Sequence, residues 1–509
     1  MAEVEFVLNG RPVSVPDGTT LLNALRESCG IRSAKDGCAP QGQCGCCTVW
    51  VGGEARVACV TPVGRVRGRS VTTLEGADVD VVDDWSSRLT ATGGSQCGFC
   101  TPGIIMRLAS PRRAGMSNEP AVEQALLAHL CRCTGWQSIV EAALAPPSTV
   151  GERKPAAERA RIEGRSMQRV APDVALGNGG FAGDTFPPDA LVAVRSIDGT
   201  WHVADTLTEA RAAAGIVQGR RSTLGLRWPI DPVSDAGFVR TLRTTWVEPA
   251  YLEPDAVWCA PGGSPVGPLA NGGAFGGKKS TWLVDEVRRL ADEYARPVRI
   301  ALTREDVVRL GPKRPPMAAG VRADGTGEVW LRRTDGAADL VNRLFPGWVV
   351  HESDVPGPPT SLDIRAAVWA ELSVLATSVR QPTDRGDHVR SPEGAEAWAR
   401  IDDDRITVRV RCGEVLDHIV LRSYCIGAAH MALGWVRSEG IAVDDAGEIH
   451  DLTIRSFGIL RAADMPEVVV EIVEDDGPAV NGSDAVFAAV AAAAWRRAGF
   501  PDRWPCSRE

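Results

Sequence analysis

Cysteine is the residue type whose spacing in this chain could do chemistry. Fourteen cysteines occur in 509 residues, and Cys29, Cys38, Cys44, Cys46, Cys47, Cys59, Cys97, Cys100, Cys131 and Cys133 all fall in the first 133. Thiolates gathered like this either cross-link a small secreted fold or bind metal and move electrons. The opening MAEVEFVLNGRPVSVPDG alternates like a strand, with no basic n-region and no apolar h-region. The expected compartment is therefore the cytoplasm, where thiols stay reduced and metal or redox chemistry is the expected use.

Cys38, Cys44, Cys47 and Cys59 have the pattern C-x5-C-x2-C-x11-C. Plant-type [2Fe–2S] proteins use C-x4-C-x2-C and a distant fourth cysteine, so the first gap is one residue longer here. Gly37, Gly42 and Gly45 suit a loop that wraps closely around a cluster and aims backbone N–H groups at sulfur. A structural zinc site is the alternative, but zinc favours two C-x2-C knuckles and this stretch has one. Cys46 neighbours the C-x2-C pair and is assigned to packing; Cys29 is left over.

The second set is Cys97 and Cys100 in QCGFCTPG, with Cys131 and Cys133 in HLCRCTGW. Helical stretches are expected at Gly103–Ala109 and Glu119–Leu130, the latter from the spacing of Val122, Leu126, Leu127 and Leu130. Two cysteine turns at the ends of packed antiparallel helices would gather four thiolates at one small site. Zinc stays open as the alternative, although C-x-C pairs are rare in zinc sites.

These sites need elements to position them. VEFVLNGRPVSV reads as a hairpin turning at Asn9-Gly10. TTLLNALRESCG is a short helix ending at Gly30, and CTVWVGGEARVAC is a second hairpin that returns Cys59 to the loop. Residues 146–170 are rich in Pro, Arg, Glu and Ala and read as a linker. From 171 onward, short strands, helices and Gly/Pro turns mix without a repeat, which implies α+β architecture. The length exceeds what one core supports, so two to four domains are expected. A formal net charge of -9 argues against general nucleic-acid binding. No stretch of about 18 apolar residues suggests a membrane span.

GQCGCCTV, QCGFCTPG and LCRCTGW together resemble the iron–sulfur portion of the xanthine oxidase (molybdenum hydroxylase) family, over about residues 1–145. The resemblance implies a ferredoxin-like β-grasp domain at 1–76 and a four-helix domain at 77–145, each with one [2Fe–2S] cluster. It implies Cys38, Cys44, Cys47 and Cys59 as ligands of one cluster, and Cys97, Cys100, Cys131 and Cys133 as ligands of the other. It places Gln96 beside the pterin. Residues 171–509 would be a shortened α+β molybdopterin-binding-like region after the 146–170 linker.

Within that region, PLANGGAFGGKKSTWLVDEVRRLADEYARP has a Gly-rich turn running into a helix with apolar face Leu283, Val284, Val287, Leu290 and Tyr294. It nearly fits a P-loop, but Lys279 occupies the Ser/Thr position and no apolar strand precedes it, so that reading is rejected. The segment resembles the family's molybdopterin loop, which implies cofactor contacts from Gly272, Gly273, Ala274, Phe275 and Gly276. A plain Gly-rich turn is the alternative. YLEPDAVWCAPGG, RPVRIALTREDVV, VLDHIVLRSYCIGAAHMALGWVRSEG and RAADMPEVVVEIVE resemble further pieces of the catalytic part in order, with long stretches missing.

Two positions depart from the family pattern. In NGSDAVFAAVAAAAWRRAG, Ser483 stands where the family has the glutamate that activates the molybdenum-bound hydroxide, and serine is no base without its own activator. Ser483 or Asp484 is expected to cap that helix. Tyr424 stands where the family usually has glutamine. His418 and His430 are expected as core residues, the tryptophans as core, and Cys259, Cys412, Cys425 and Cys506 as small apolar groups.

The reading is an oxidoreductase passing electrons from a molybdopterin site, with molybdenum and a dinucleotide form of the cofactor, through two [2Fe–2S] clusters. No flavin domain is seen, so a flavin-containing or other acceptor subunit is expected, with a small-molecule substrate. The alternatives are a non-catalytic electron-transfer subunit with a degenerate pterin domain, or half of an active site shared with a second catalytic subunit.

Overall fold

The computed structural model describes residues 2–111, 117–146, 151, 153–215, 224–231, 237–269, 272–279 and 281–507. Its first unit is a five-stranded sheet in the order Arg11–Pro16, Glu3–Leu8, Ser70–Thr72, Thr48–Val51, Glu54–Val57. Asn9 and Gly10 both have positive φ, 50° and 80°, as a two-residue turn between right-twisted strands requires. Val4, Phe6 and Leu8 alternate inward while Glu3, Glu5 and Val7 face out. The expected short helix is Leu21–Asn23, continued by a π-turn over Ala24–Ser28. The cysteine loop therefore spans from this helix to the second hairpin.

Four helices follow: Val79–Thr92, Thr101–Leu108, Glu119–Leu126 and Gln137–Leu144. The third ends earlier than its apolar spacing predicts. Past Leu127 the chain is drawn aside, and Leu130 N–H donates to Cys44 O (3.0 Å), tying the second cysteine turn to the first loop.

Residues 146–170 are not a plain linker. Residues 147–150 and 152 lie outside the described residues, but Lys154–Gly164 is a helix. Its Ala156, Arg159, Ala160 and Glu163 are buried against the C-terminal part of the chain. Spacing i, i+3, i+4, i+7 puts these four on one face, so composition hid an amphipathic helix with a charged stripe facing inward.

Among the described residues the remainder is α+β, as expected, with three sheets. One orders Trp201–Ala204, Leu191–Arg195, Val298–Ala301, Ala256–Cys259. A second orders Trp348–Ser353, Gly327–Arg332, Met317–Val321, Arg240–Thr244, Arg503–Trp504, and so recruits the end of the chain. The third orders Asp387–Arg390, Glu396–Asp402, Arg405–Arg411, Glu467–Val473. The helices His418–Arg437 and Ser483–Arg497 pack together at the centre. Among the described residues, His418–Arg437 is the one helix long and apolar enough to cross a membrane, and nearly all of it is buried inside the fold.

Candidate functional site

At the first site the Cys38, Cys44, Cys47 and Cys59 side chains are buried. The Cys38 thiol meets those of Cys44 and Cys59, and Cys59 also meets Cys47. Gln41 N–H (3.2 Å) and Gln43 N–H (3.5 Å) both donate to Cys38 Sγ, and Cys59 N–H donates to Cys47 Sγ (3.4 Å). Backbone donors thus point at sulfur, as a loop built to hold anionic thiolates needs. Gly37 is required by close approach: a Cβ there would come 3.1 Å from the sulfurs of Cys44 and Cys46. Cys46 is fully buried, and its thiol donates to the backbone oxygen of Cys44 (3.8 Å).

At the second site the thiols form two pairs. Cys97 and Cys133 sulfurs are 3.6 Å apart, and Cys100 pairs with Cys131. The Cys100 thiol beside it and the Thr134 hydroxyl bring Cys131 down to about 6 against the pull of burial, while the Cys131 thiol and burial push Cys100 well up. Paired thiols suit a two-iron cluster, in which each iron takes two, better than a single tetrahedral zinc.

The two sites are joined by the Leu130 N–H to Cys44 O bond, which sets a cysteine of the first set one residue from Cys131. Trp50 Nε1–H donates to Met106 O (2.6 Å) across the same seam. Sequence reasoning missed the pair beside Cys131 and Cys133. The Arg132 guanidinium forks onto both oxygens of Glu439 (2.6 and 2.5 Å), and its Nε–H reaches Pro249 O (3.1 Å). Both side chains are buried. Burial pushes the Glu439 carboxyl above the usual range, and Arg132 opposes that.

The Gly-rich loop reaches the second site. Gly272–Ala274 is a 3-10 turn, and a Cβ on Gly273 would lie 2.9 Å from Cys97 Sγ and 3.1 Å from Cys133 Sγ. Phe275 and Gly276 have positive φ, 48° and 89°. Phe275 O accepts from Arg365 N–H (3.1 Å), and the Arg365 guanidinium lies over its ring. The loop does not run straight into the helix: Leu283–Tyr294 begins at the far end of an intervening turn, and Tyr294 is exposed. Ala270, Asn271 and Ser280 of the same segment lie outside the described residues. Gln96 is buried beside Cys97, and its Nε2–H donates to Cys133 O (3.0 Å) and Ser423 Oγ (2.9 Å). Its Oε1 has no hydrogen-bond partner in the protein.

Ser483 and Asp484 lie in the first turn of Ser483–Arg497 rather than capping it. Asn481 Oδ1 accepts from Asp484 N–H (2.9 Å), and Glu163 accepts from Gly482 and Ser483 N–H. Ser483 Oγ accepts from Arg365 Nη2 (2.6 Å), and Asp484 pairs with Arg365 (3.0 Å) and Arg165 (2.8 Å). Tyr424 is buried, its hydroxyl donating to Gln168 Oε1 (3.0 Å). His430 is a core residue, as expected, but the His418 side chain is 61% exposed at the start of its helix. Trp282 is likewise exposed rather than core.

Residues 1–75 match the family described as "2Fe-2S iron-sulfur cluster binding domain", and residues 73–144 match "[2Fe-2S] binding domain". The chain therefore has the two [2Fe–2S] domains of its relatives. It is 40% identical over 149 residues to the xanthine dehydrogenase iron-sulfur-binding subunit of Escherichia coli O157:H7, covering 28% of this chain and 91% of that protein. It is 37% identical over 140 residues to isoquinoline 1-oxidoreductase subunit alpha of Brevundimonas diminuta, covering 27% and 91%. The match to the xanthine dehydrogenase of Emericella nidulans is 42% over 163 residues, 29% of this chain but only 12% of that much longer protein. In fold the likeness extends further. The aldehyde oxidoreductase from Desulfovibrio gigas superposes with a TM-score of 0.70 at 14% identity, covering 99% of each chain. With two adjoining iron–sulfur domains and nearly complete coverage of relatives that are named as iron–sulfur or alpha subunits, this chain belongs to the xanthine oxidase (molybdenum hydroxylase) family.

Proposed function

We propose that the chain is a molybdopterin-dependent oxidoreductase subunit whose two [2Fe–2S] clusters relay electrons to an external acceptor. The observation that carries this reading is the gathering of four buried thiols at each of two sites linked by the Cys44–Leu130 hydrogen bond. Cys38, Cys44, Cys47 and Cys59 would hold one cluster, and Cys97, Cys100, Cys131 and Cys133 the other. Each cluster, when bound, supplies one-electron chemistry. The chain's own contribution is to aim Gln41, Gln43 and Cys59 N–H groups at sulfur and to keep water from the second site with Gly273 and the long helix.

Gln96 and the loop Gly272, Gly273, Ala274, Phe275 and Gly276 would hold the molybdopterin. The buried, unpartnered Gln96 Oε1 fits an N–H donor of a pterin ring. That cofactor, when bound, supplies two-electron oxidation of a small-molecule substrate. Ser483 does not supply the base, because its hydroxyl already accepts from Arg365. The cavity bounded by Phe275, Arg365, Met431 and Glu439 is about 20 Å³, room for about one water. Both facts support a second catalytic subunit completing the substrate site. Several relatives are named as one subunit of a larger enzyme, which supports further partners, a flavin-containing or other acceptor subunit among them. The compartment we infer is the cytoplasm.

Metal and pterin analysis of the purified chain tests the proposal. About four irons and one molybdenum per chain, with pterin, are expected from the two cluster types and one cofactor. Iron without molybdenum would reduce the chain to an electron-transfer subunit, and zinc in place of iron would overturn it.

A further inference from the structure

Cys59 is buried, but Val60 beside it is 46% exposed and lies against the first cysteine loop, where a Cβ on Gly42 would come 3.0 Å from Val60 Cγ1. Elsewhere the same loop is covered by the chain itself. Gln41 Nε2–H donates to Glu305 Oε1 and Leu452 O (both 2.9 Å), Arg455 Nε–H donates to Gln43 O (2.9 Å), and Arg304 donates to Gly37 O (2.6 Å). Val60 therefore marks a side on which the buried thiols stand one residue from solvent.

A groove of about 450 Å³ lies around Val60, with Pro62 and three arginines, Arg56, Arg65 and Arg69, in its lining. Charge is segregated here. Residues 52–70 hold these three and Arg67 against a single acid, Glu54, in a chain whose formal net charge is -9. All four arginines are exposed. Arg56 pairs with Glu54 (2.5 Å) and Arg67 with Asp17 (3.5 Å), both in solvent, where such pairs are worth little. Arg65 and Arg69 make no ion pair among the described residues. Like charges gathered on one groove repel each other, so the arrangement adds nothing to the fold and favours contact with negative charge. An apolar centre with an arginine rim matches the small, charge-steered interfaces through which electron carriers meet.

We propose that this groove docks the electron acceptor, an acidic one-electron carrier protein whose carboxylates face Arg56, Arg65 and Arg69 and whose redox centre sits against Val60. The inference rests on the cluster assigned to Cys38, Cys44, Cys47 and Cys59. In the docked pair the reduced cluster loses one electron and returns to its all-ferric state. The carrier's redox centre gains that electron; no bond forms or breaks and no proton moves.

The test uses the purified full chain with the acidic haem protein cytochrome b5 as the probe. Net charge alone predicts that a chain at -9 repels this probe and that salt strengthens their binding. The groove predicts the reverse. Calorimetric titration with oxidised cytochrome b5 should show binding at about 10 mM salt that weakens at least about tenfold by about 200 mM. Stopped-flow reduction of cytochrome b5 by the reduced chain should slow over the same range. Arg65→Glu with Arg69→Glu should cut binding and rate at least about tenfold at low salt, and the neutral pair Arg65→Gln with Arg69→Gln by less. Arg288→Glu with Arg400→Glu makes the same change in net charge at exposed positions elsewhere, and should change neither by more than about twofold. Iron content and both EPR signals should match wild type in every variant. No binding at low salt, binding that salt strengthens, or equal losses in the two charge-reversed pairs overturns the proposal. Iron missing from the wild-type chain defeats the cluster assignment, whereas calorimetry reads docking without any electron, so the two readings fail separately.

Discussion

The carboxylate of Glu163 accepts hydrogen bonds from the backbone N–H groups of Ser483 (2.8 Å) and Gly482 (3.1 Å), 320 residues away along the chain. A buried carboxylate therefore does stand beside Ser483, but it comes from the segment expected as a linker. It is already committed. Arg159 Nη1 donates to the same group (2.9 Å). Three donors hold the charge in place, which suits a clamp and not a base.

Glu163→Gln should therefore destabilise the chain rather than change its chemistry. Removing one partner strands Arg159, which is wholly buried, and breaking such a pair costs about 3–5 kcal/mol. The double variant Arg159→Met with Glu163→Leu should recover much of that loss, since no charge is left behind. Urea unfolding checks both, and a Glu163→Gln chain within about 1 kcal/mol of wild type would refute the clamp.

Gly273→Ala should damage the second cluster and spare the first. The added methyl would sit 2.9 Å from Cys97 Sγ and 3.1 Å from Cys133 Sγ, closer than carbon and sulfur tolerate, so loop or thiols must move. Iron should fall from about four toward two per chain, with one of two EPR signals lost. Gly180→Ala is the control, since nothing lies within 4 Å of a Cβ there, although its own positive φ adds strain. Retention of both signals in Gly273→Ala would mean that the loop lies farther from the thiols.

How much of this was legible follows from range in sequence. Asn9-Gly10 announces its hairpin because two adjacent residues set the turn, and the eight cysteines announce themselves because C-x2-C and C-x-C pairs stand close together in sequence. Arg132 and Glu439 are 307 residues apart, and nothing near either one signals the other. Ala156, Arg159, Ala160 and Glu163 did carry a helical period, but the Pro, Arg, Glu and Ala composition around them read as a linker. His418 failed the opposite way: its apolar neighbours suggested core, yet it occupies the first turn, where the helix has not yet entered the core.

The Arg132–Glu439 pair should set the potential of the second cluster. Glu439→Gln leaves the guanidinium's charge uncompensated beside Cys131 and Cys133, and a buried positive charge favours the reduced, more negative cluster. The potential should rise by on the order of 50 mV, close to the 59 mV that makes a tenfold change for one electron. EPR-monitored titration reads both clusters in one sample, and an equal shift in both would point to a general change in packing instead.

His430 gives the chain a pH dependence that can be isolated. It is fully buried, its Nε2–H donates to Leu460 O (3.0 Å), and its Nδ1 has no partner. Burial first, and the positive charge of Arg132 second, lower its pKa from 6.5 to about 4. The folded chain thus holds His430 neutral, while the unfolded chain takes up a proton once the pH drops below about 6.5. Its contribution to stability is complete above that pH and is lost as the pH falls toward 4, on the order of 3 kcal/mol in all. His430→Gln keeps a donor for Leu460 O but cannot titrate. Between pH 7 and pH 5 wild type should lose about 2 kcal/mol more than this variant in urea unfolding. Parallel losses in the two proteins would show that the imidazole is protonated in the folded chain, with its charge met by a group such as Asp464, which already acts on it from nearby.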